Sequence, residues 1–281
     1  MLALAACNAD IEPVEQSLVP PKDQNPAQWA EYMRALGAYK QSEHYMIYAH
    51  FDNAPEKVVS EKNCLRSLPD SLDIVALKNP LSKFDRQDLA GLHEKSTRVL
   101  QTADCSDSAT AVTKVDEALA AIATDGLDGI VISFTGTVTD AAKAAEAAIA
   151  GKFGALAGKT IVFEGNPAFI AESNREHYDL FVVDVREVPT LFALQSDIDY
   201  LVNRFGIEAR KLVLATTFAA TMLDESLKEQ AAIPVVGRCV MTGGPLAGMG
   251  LYNVNDDYYS PTVNYPQTKA AINLLNPAYT E

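Results

Sequence analysis

Short apolar runs alternate with longer amphipathic segments along most of the chain. Eight runs are rich in β-branched and aromatic residues, and most are separated by stretches long enough for a helix. The runs are YMIYAHF (45–51), DIVALK (73–78), RVLQTA (98–103), DGIVISFT (128–135), KTIVFEG (159–165), YDLFVVDV (178–185), KLVLATTF (211–218) and MGLYNVN (249–255). Runs of this kind are typical of parallel strands that are buried on both faces of a sheet.

The segments between the runs carry helical signals. Residues 108–126 place four apolar side chains on one stripe and end on Gly126, a helix stop. Residues 139–151 begin with Thr139 as a candidate N-cap and end on a glycine. The same helical spacing occurs at 25–40, 196–206 and 265–276.

Eight strands with intervening helices in 281 residues predict an α/β fold, a single-domain (β/α)8 TIM barrel. An open, doubly wound sheet is the alternative, although it usually has fewer strands. In a TIM barrel, ligands bind where the strands end, at their carboxyl side. We therefore expect a binding site built from residues at the ends of the eight runs.

Polar and aromatic side chains are concentrated at those strand ends. The candidate ligand-binding residues are Tyr48, His50, Asp104, Glu164, Asn166, Asp184, Arg186, Tyr252, Asn253 and Tyr258. Flat rings stack on sugar faces, and amides and carboxylates bond to hydroxyl groups, so this mixture favours a carbohydrate ligand. The alternative is that half of the aromatic side chains fill the core and that His50 is a hydrogen-bonded wall residue. Tyr258 and Tyr259 lie in a polar loop and are expected to be exposed.

Charge and composition exclude some classes of partner. The formal net charge of −14 argues against nucleic acid, whose phosphates would be repelled. The chain has no run of eighteen apolar residues, so no membrane-spanning helix is expected. Its four histidines are scattered, and the four cysteines form no CxxC spacing, so neither a metal site nor a cofactor is expected.

The amino-terminal stretch MLALAAC ends at Cys7 and is followed by a polar, proline-rich segment. Leu4-Ala5-Ala6-Cys7 resembles the lipobox of bacterial lipoproteins, in which the cysteine carries the lipid. This predicts a signal remnant and flexible tether over residues 1–26 and a barrel over 27–281. A basic leader region is absent and the apolar stretch is short, so a random apolar start with a disordered tail stays open.

The remaining cysteines are Cys64, Cys105 and Cys239. If Cys7 carries a lipid, their number is odd. We expect Cys64 and Cys239 to pack as small apolar residues. A bridge between Cys64 and Cys105 is the open alternative.

The run that begins at Asp128 and Gly129 resembles a known strand. In glycoside hydrolase family 18, the fourth strand reads Asp-Gly-x-Asp-x-Asp-x-Glu, and DGIVISFT keeps its first two residues and its apolar positions. GGPLAGMGLYNVNDDY is similar to the eighth strand of the endo-β-N-acetylglucosaminidase branch. AYKQSEHYMIYAHFDNA and SLPDSLDIVALKNPLSKFD are similar to the first and second strands of lipoproteins in that branch. The resemblance runs from Trp29 to Pro277 and implies the same barrel.

The catalytic positions of that family are occupied by other residues here. The resemblance implies that the final Glu is a general acid and that the Asp two residues before it orients the substrate's N-acetyl group. Val131, Ser133 and Thr135 stand where the family has its two Asp residues and its Glu. Threonine has no proton to give near neutral pH, and losing a general acid typically costs about 10²–10⁴ in rate. No residue of this strand is therefore assigned as catalytic.

Two carboxylates on other strands are the alternative catalytic groups. Glu164 and Asp184 end the fifth and sixth runs and could serve a diverged glycosidase. Pairing of these two carboxylates with Arg186, Lys159 or backbone amides is the preferred interpretation, because ion pairing is common. The sequence therefore leaves enzymatic activity open and leans against it.

The preferred hypothesis is an inactive, family 18-like barrel that binds glycans containing N-acetylglucosamine, or N-glycans. The resemblance implies a lipoprotein anchored through Cys7 at the outer membrane of a Gram-negative bacterium, working with other glycan-uptake proteins. A barrel with a plugged mouth that binds a protein partner is a further alternative.

Overall fold

The computed structural model describes residues 21–54 and 57–277. Its strands are β1 (Met46–Phe51), β2 (Ile74–Leu77), β3 (Arg98–Asp104), β4 (Gly129–Phe134), β5 (Thr160–Gly165), β6 (Leu180–Asp184), β7 (Leu212–Thr216), β8 (Thr221–Leu223), β9 (Glu229–Ala231) and β10 (Gly248–Leu251). Eight of them form a closed parallel barrel in the order β1–β10–β7–β6–β5–β4–β3–β2. Each predicted run supplies one barrel strand, so the predicted TIM barrel is confirmed.

Helices surround most of this barrel. They are α1 (Pro21–Gln24), α2 (Pro26–Gln41), α3 (Lys83–Glu94), α4 (Ala111–Asp125), α5 (Asp140–Ala150), α6 (Leu191–Asp199), α7 (Ala232–Thr242) and α8 (Pro266–Leu275). Between β5 and β6 the chain makes only two 3₁₀ turns, at Pro167–Phe169 and Glu172–His177. The described part of the β1–β2 connection likewise holds 3₁₀ turns. The hairpin β8–β9 lies between β7 and α7.

Two of the predicted helix signals are confirmed, whereas the helix predicted over 196–206 begins earlier, at Leu191, and its α-helical part ends at Asp199. The hydroxyl of Thr139 accepts a hydrogen bond from the amide of Ala142 and caps α5. Gly126 has a φ of 71° and ends α4, a left-handed conformation that favours glycine. The sequence analysis did not predict α1, α3, α7 or the hairpin β8–β9. Of these, α3 begins with a capping box between Ser82 and Asp85, a signal that the sequence did contain.

Successive strand residues alternate between two cores. The inward-facing side chains form an inner cluster that includes Tyr48, Leu100, Val131, Val162 and Val213. The outward-facing side chains pack against the helices in a larger cluster. This alternation follows from the period of two along a strand, and it fixes which residues can reach the barrel axis.

Asp128 and Gly129 hold the start of β4 in place. The Asp128 carboxylate accepts a hydrogen bond of 2.8 Å from the amide of Val99 and pairs with His93. A Cβ on Gly129 would lie 1.9 Å from the carbonyl oxygen of Thr160. Both residues of the Asp-Gly pair therefore have a structural role between β3, β4 and β5.

The first and last strands of the barrel meet at one seam. β1 pairs in parallel with β10, and Met46 lies opposite Gly248. Nearby, the side chain of Asn276 accepts from the amide of Tyr45 at 3.0 Å and donates to its carbonyl oxygen at 2.8 Å. The beginning and the end of the barrel sequence are thus joined by main-chain and side-chain hydrogen bonds.

The amino-terminal predictions lie largely outside the described residues. Cys7 and the signal remnant belong to that part of the chain, whereas α1 falls inside the segment assigned to the tether. Within residues 21–54 and 57–277, no helix combines the length and the apolar character that a membrane crossing requires.

The three cysteines that the structure describes are free and buried. The bridge between Cys64 and Cys105 that the sequence left open is not formed. Burial raises the pKa of the Cys105 thiol to about 12, and it also raises the pKa values of Cys64 and Cys239. Packing as small apolar residues, which was expected for Cys64 and Cys239, is confirmed.

Candidate functional site

The strand β4 brings no carboxylate to the barrel mouth. Val131 is fully buried in the inner cluster, Ser133 is buried, and Thr135 is exposed just beyond the end of the strand. The hydroxyl of Thr135 lies 2.7 Å from that of Ser106, which donates a 2.6 Å hydrogen bond to Asp104. The bonds from Ser106 hold the pKa of Asp104 below its ordinary value, so this carboxylate is a poor proton donor near neutral pH.

Glu164 occupies the centre of the barrel. It accepts a hydrogen bond of 2.8 Å from the hydroxyl of Tyr48 and one of 3.2 Å from the hydroxyl of Ser133. Burial and the neighbouring Glu164 raise the pKa of Tyr48 well above its ordinary value, so the phenol keeps the proton that it donates. Glu164 lies directly opposite Ser133 in the β4–β5 pairing, one inward-facing layer below Thr135. Its carboxylate therefore lies deeper in the barrel than the side chain of Thr135.

Asp184 forms an ion pair with Arg186, which is one of the pairings that the sequence analysis named. The Nε atom of Arg186 lies 2.9 Å and 3.0 Å from the two carboxylate oxygens, and Nη2 lies 2.6 Å from Oδ2. The guanidinium also sits 4.7 Å from the centre of the Tyr252 ring, a cation–π contact. Tyr252 in turn meets the ring of His50 edge-on, with the ring centres 6.0 Å apart. These four side chains form one wall of the mouth.

A cavity of about 420 Å³ opens on the β1–β4 side of Thr135. We call it the first mouth cavity; its lining includes His50, Gln101, Thr102, Asp104, Ser133 and Thr135. Three buried polar atoms of this lining have no hydrogen-bond partner among the described residues, namely His50 Nδ1, Gln101 Oε1 and Thr102 Oγ1. Burial lowers the pKa of His50, so its ring is neutral near pH 7 and Nδ1 accepts or donates according to the tautomer.

A second mouth cavity of about 420 Å³ lies on the β4–β6 side. Its lining includes Thr135, Asn166, Phe169, Asp184, Asp197 and Tyr200. The ring of Tyr200 is 56% exposed and offers a flat apolar face at the edge of this cavity. The amide oxygen of Asn166 accepts from the amide of Ala168, which fixes the turn after β5. The two mouth cavities share Thr135.

The structure separates Tyr258 and Asn253 from these cavities. Tyr258 is 8% exposed and packs edge-on against the rings of Tyr259 and Tyr265. The expected exposure is therefore wrong for Tyr258, because this aromatic cluster covers it, and it is confirmed for Tyr259. Asn253 is exposed in a left-handed turn after β10, and neither residue lines a mouth cavity.

Sequence reasoning missed several residues of the mouth. Thr102 follows the inward alternation of β3 from Leu100, a signal that could have identified it. Ser106 and Tyr200 lie in a loop and at the end of a helix, where no periodic pattern points to a cavity. Gln101 is 4% exposed and faces away from the barrel axis. Only its unpartnered Oε1 atom distinguishes it from an ordinary buried residue.

Comparisons with known proteins agree with this architecture. The family described as "Glycoside hydrolase family 18, BT1044-like" matches residues 9–105. A selenomethionyl variant of BT1044 is similar in structure, with 17% identity, a TM-score of 0.70 and coverage of 93% of this chain and 98% of the other. The resemblance to glycoside hydrolase family 18 is confirmed. Among curated proteins, none matches the chain.

Two further solved structures share this fold. A variant of the endo-β-N-acetylglucosaminidase from Cordyceps militaris, in complex with fucosyl-N-acetylglucosamine-Asn, has 16% identity and a TM-score of 0.67 over 87% of this chain and 95% of the other. A family 18 chitinase from Pseudoalteromonas aurantia has 12% identity and a TM-score of 0.57 over 82% of this chain and 100% of the other. The family match ends at residue 105, before β4 begins.

Proposed function

We propose that this chain binds a glycan containing N-acetylglucosamine at the barrel mouth and does not cleave it. The observation that carries the proposal is the pair of unpartnered polar atoms on inward-facing residues of the first mouth cavity, His50 Nδ1 and Thr102 Oγ1, beside a β4 strand without carboxylates. A buried polar atom without a partner costs about 1–3 kcal/mol, so two of them around one cavity favour a hydroxyl-rich or amide-bearing ligand. Sugar hydroxyls and an acetamido N–H supply the missing bonds.

The absence of cleavage follows from where the acidic side chains lie. Thr135 replaces the family's acid, and the carboxylate nearest to it through Ser106 is Asp104, whose lowered pKa makes it a poor acid. Both oxygens of Glu164 accept hydrogen bonds from hydroxyl groups. Asp184 is held by Arg186. Neither strand β4 nor Asp104 therefore offers a proton donor to a glycosidic oxygen at the mouth.

The ligand class draws support from the structural relatives. The Cordyceps militaris enzyme variant was solved with fucosyl-N-acetylglucosamine-Asn. A related barrel that keeps an open mouth can retain affinity for the same sugar when its catalytic side chains change. The open cavities on both sides of Thr135 also disfavour a plugged mouth.

Lipid anchoring at the outer membrane of a Gram-negative bacterium, beside glycan-uptake proteins, belongs to the same proposal. Its support is the LAAC sequence that ends at Cys7. Metabolic labelling with a palmitate analogue tests it. Label in the wild type that disappears in Cys7→Ala supports the anchor, and an unlabelled wild type rules it out.

A glycan array on the full chain tests the binding proposal, with mass spectrometry of the glycans after incubation. We expect saturable binding of N-acetylglucosamine-containing glycans and intact glycans afterwards. Thr102→Val, which removes one hydroxyl from the cavity, should weaken binding about fivefold or more. Thr110→Val, at an exposed position before α4, is the matched control and should bind normally.

Two results would contradict the proposal. Failure to bind any glycan on the array would remove carbohydrate as the ligand. Release of oligosaccharide that Glu164→Gln or Asp184→Asn abolishes would instead establish a diverged hydrolase, the alternative that the central position of Glu164 favours.

A further inference from the structure

The amino ends of the barrel strands line an open cavity of about 590 Å³, at the opposite end from the mouth. We call it the floor cavity; its lining includes Met46, Arg98, Lys159, Thr160, Asp179 and Arg210. Met46, Arg98 and Thr160 are the first residues of β1, β3 and β5. The cavity is therefore built by the strand starts, and none of its residues belongs to the proposed glycan site.

Arg98 is a partly buried cation with neutral partners. Its guanidinium donates to the hydroxyl of Thr160 at 3.2 Å and to the thioether sulfur of Met46 at 3.5 Å. Within the described part of the chain, no carboxylate lies within salt-bridge distance of it. Arginine removed from water is normally paired with an anion, so this guanidinium has unused donors for one.

The other charged groups around the floor cavity add to an excess of positive charge in its lining. Lys159 gives one of its three N–H groups to the carbonyl of Leu127 at 2.7 Å. Arg210 is exposed and forms no ion pair with any described residue. The acid of the lining, Asp179, accepts a 2.8 Å hydrogen bond from the amide of Ile161. Three cations thus face one carboxylate, in a chain whose net charge is −14.

We propose that the floor cavity binds a phosphate group. A guanidinium matches two phosphate oxygens with parallel N–H groups, an ammonium adds a point charge, and the Thr160 hydroxyl adds a donor or acceptor. A phosphate dianion would balance the excess charge of the lining. The same chemistry is offered by inorganic phosphate in solution and by the headgroup of an anionic phospholipid.

Two binding experiments separate these sources. The full chain, carrying Cys7→Ser so that no lipid contributes, is titrated calorimetrically with sodium phosphate, and with sodium chloride at equal ionic strength. In the second arm it is floated with vesicles of phosphatidylglycerol or of phosphatidylcholine. We expect saturable binding of phosphate or of phosphatidylglycerol, and the arm that gives it identifies the source.

Variants locate the site. Arg210→Ala and Arg98→Met should each weaken that binding about tenfold or more, since each removes a charge-assisted bond. Arg238→Ala, which removes an exposed arginine on α7, is the matched control and should bind as the parent does. Glycan binding at the mouth should be unchanged in all three.

No binding in either arm overturns the proposal, and so does binding that survives both Arg210→Ala and Arg98→Met. If circular dichroism shows that Arg98→Met does not fold, the exposed Arg210→Ala decides the question alone.

Discussion

The phenol of Tyr48 donates a hydrogen bond of 2.8 Å to the carboxylate of Glu164, 116 positions further along the chain. This bond crosses the interior of the barrel and joins β1 to β5. Ser133 donates a second hydrogen bond to the same carboxylate. The Glu164 side chain is therefore held at the barrel axis by two hydroxyl groups. The centre of the barrel is therefore organised around an acceptor, and Thr135 lies one inward-facing layer above it.

Removing the donor of this bond should destabilise the fold. Tyr48→Phe leaves a buried carboxylate with one partner fewer, and we expect a loss of about 1–3 kcal/mol in the free energy of unfolding. Glu164→Gln keeps an oxygen for Tyr48 and should cost less. The double variant should cost less than the sum of the two, because the bond that Glu164→Gln weakens is already absent in Tyr48→Phe. Urea titration measures all three, and additive losses would show that the two residues are not coupled.

A carboxylate introduced at the β4 positions should be tolerated only at the exposed end of the strand. Val131→Asp buries a charge among aliphatic side chains and should cost at least about 2 kcal/mol. Thr135→Glu, at an exposed position, should change stability by less than about 0.5 kcal/mol. Thermal and urea unfolding of the two variants check this contrast. Equal losses would mean that the barrel interior accommodates a carboxylate in place of Val131 at no special cost.

The Asp-Gly start of β4 should be needed for folding. Gly129→Ala forces a Cβ against the carbonyl of Thr160 and should cost about 3 kcal/mol or prevent folding. Gly37→Ala, inside α2 with nothing near the new methyl group, is the control and should stabilise by about 0.5–1 kcal/mol. Circular dichroism during urea unfolding gives both values. A neutral Gly129→Ala would contradict the close approach of β4 and β5.

Two histidines should make opposite contributions to the pH dependence of stability. Burial lowers the pKa of His50 in the folded state. The contribution of His50 to the free energy of unfolding is therefore complete above its unfolded-state pKa of about 6.5, and it is lost as the pH falls through its folded-state pKa. The hydrogen bond to Asp73 raises the pKa of His44 in the folded state. The contribution of His44 to the free energy of unfolding is therefore complete below its unfolded-state pKa of about 6.5, and it is lost as the pH rises through its folded-state pKa.

Urea unfolding of His50→Gln and His44→Gln between about pH 5 and pH 8 tests this. The destabilisation caused by His44→Gln should shrink as the pH rises. As the pH falls below about 6.5, the free energy of unfolding should decrease more steeply in the wild type than in His50→Gln. Curves that run parallel to the wild type in both variants would contradict the two assignments.

The buried thiols should resist alkylation in the native state. In a Cys7→Ser chain, iodoacetamide near pH 8 should leave Cys64, Cys105 and Cys239 unmodified, since burial keeps each as a protonated thiol. All three should react in urea. Intact-mass spectrometry counts the adducts, and rapid modification of the native protein would show that the surrounding packing opens.

Much of the fold was predictable because its signals are local. The β4 run is apolar at every position from Ile130 to Ile132, and the Thr139 cap and Gly126 stop act within a few residues. The hairpin β8–β9 was missed because its strands are three residues each, and all three residues of β9 are exposed, so it carries no hydrophobic pattern.

The candidate site was harder to predict than the fold. His50 and Asp184 each lie at the end of a strand and line a mouth cavity, because the carboxyl ends of parallel strands meet there. Whether a side chain such as Gln101 keeps an unused oxygen depends on all its neighbours. Tyr258 shows the same limit, since its burial depends on Tyr265, which belongs to a different segment.

The seam between β1 and β10 has a consequence for synthesis on the ribosome. The strand that pairs with one side of β1 is the last barrel strand to be translated. Until it leaves the exit tunnel, the nascent chain carries an open sheet edge whose N–H and C=O groups can pair with any passing strand. A chaperone that shields such an edge would therefore matter most during the final stage of translation.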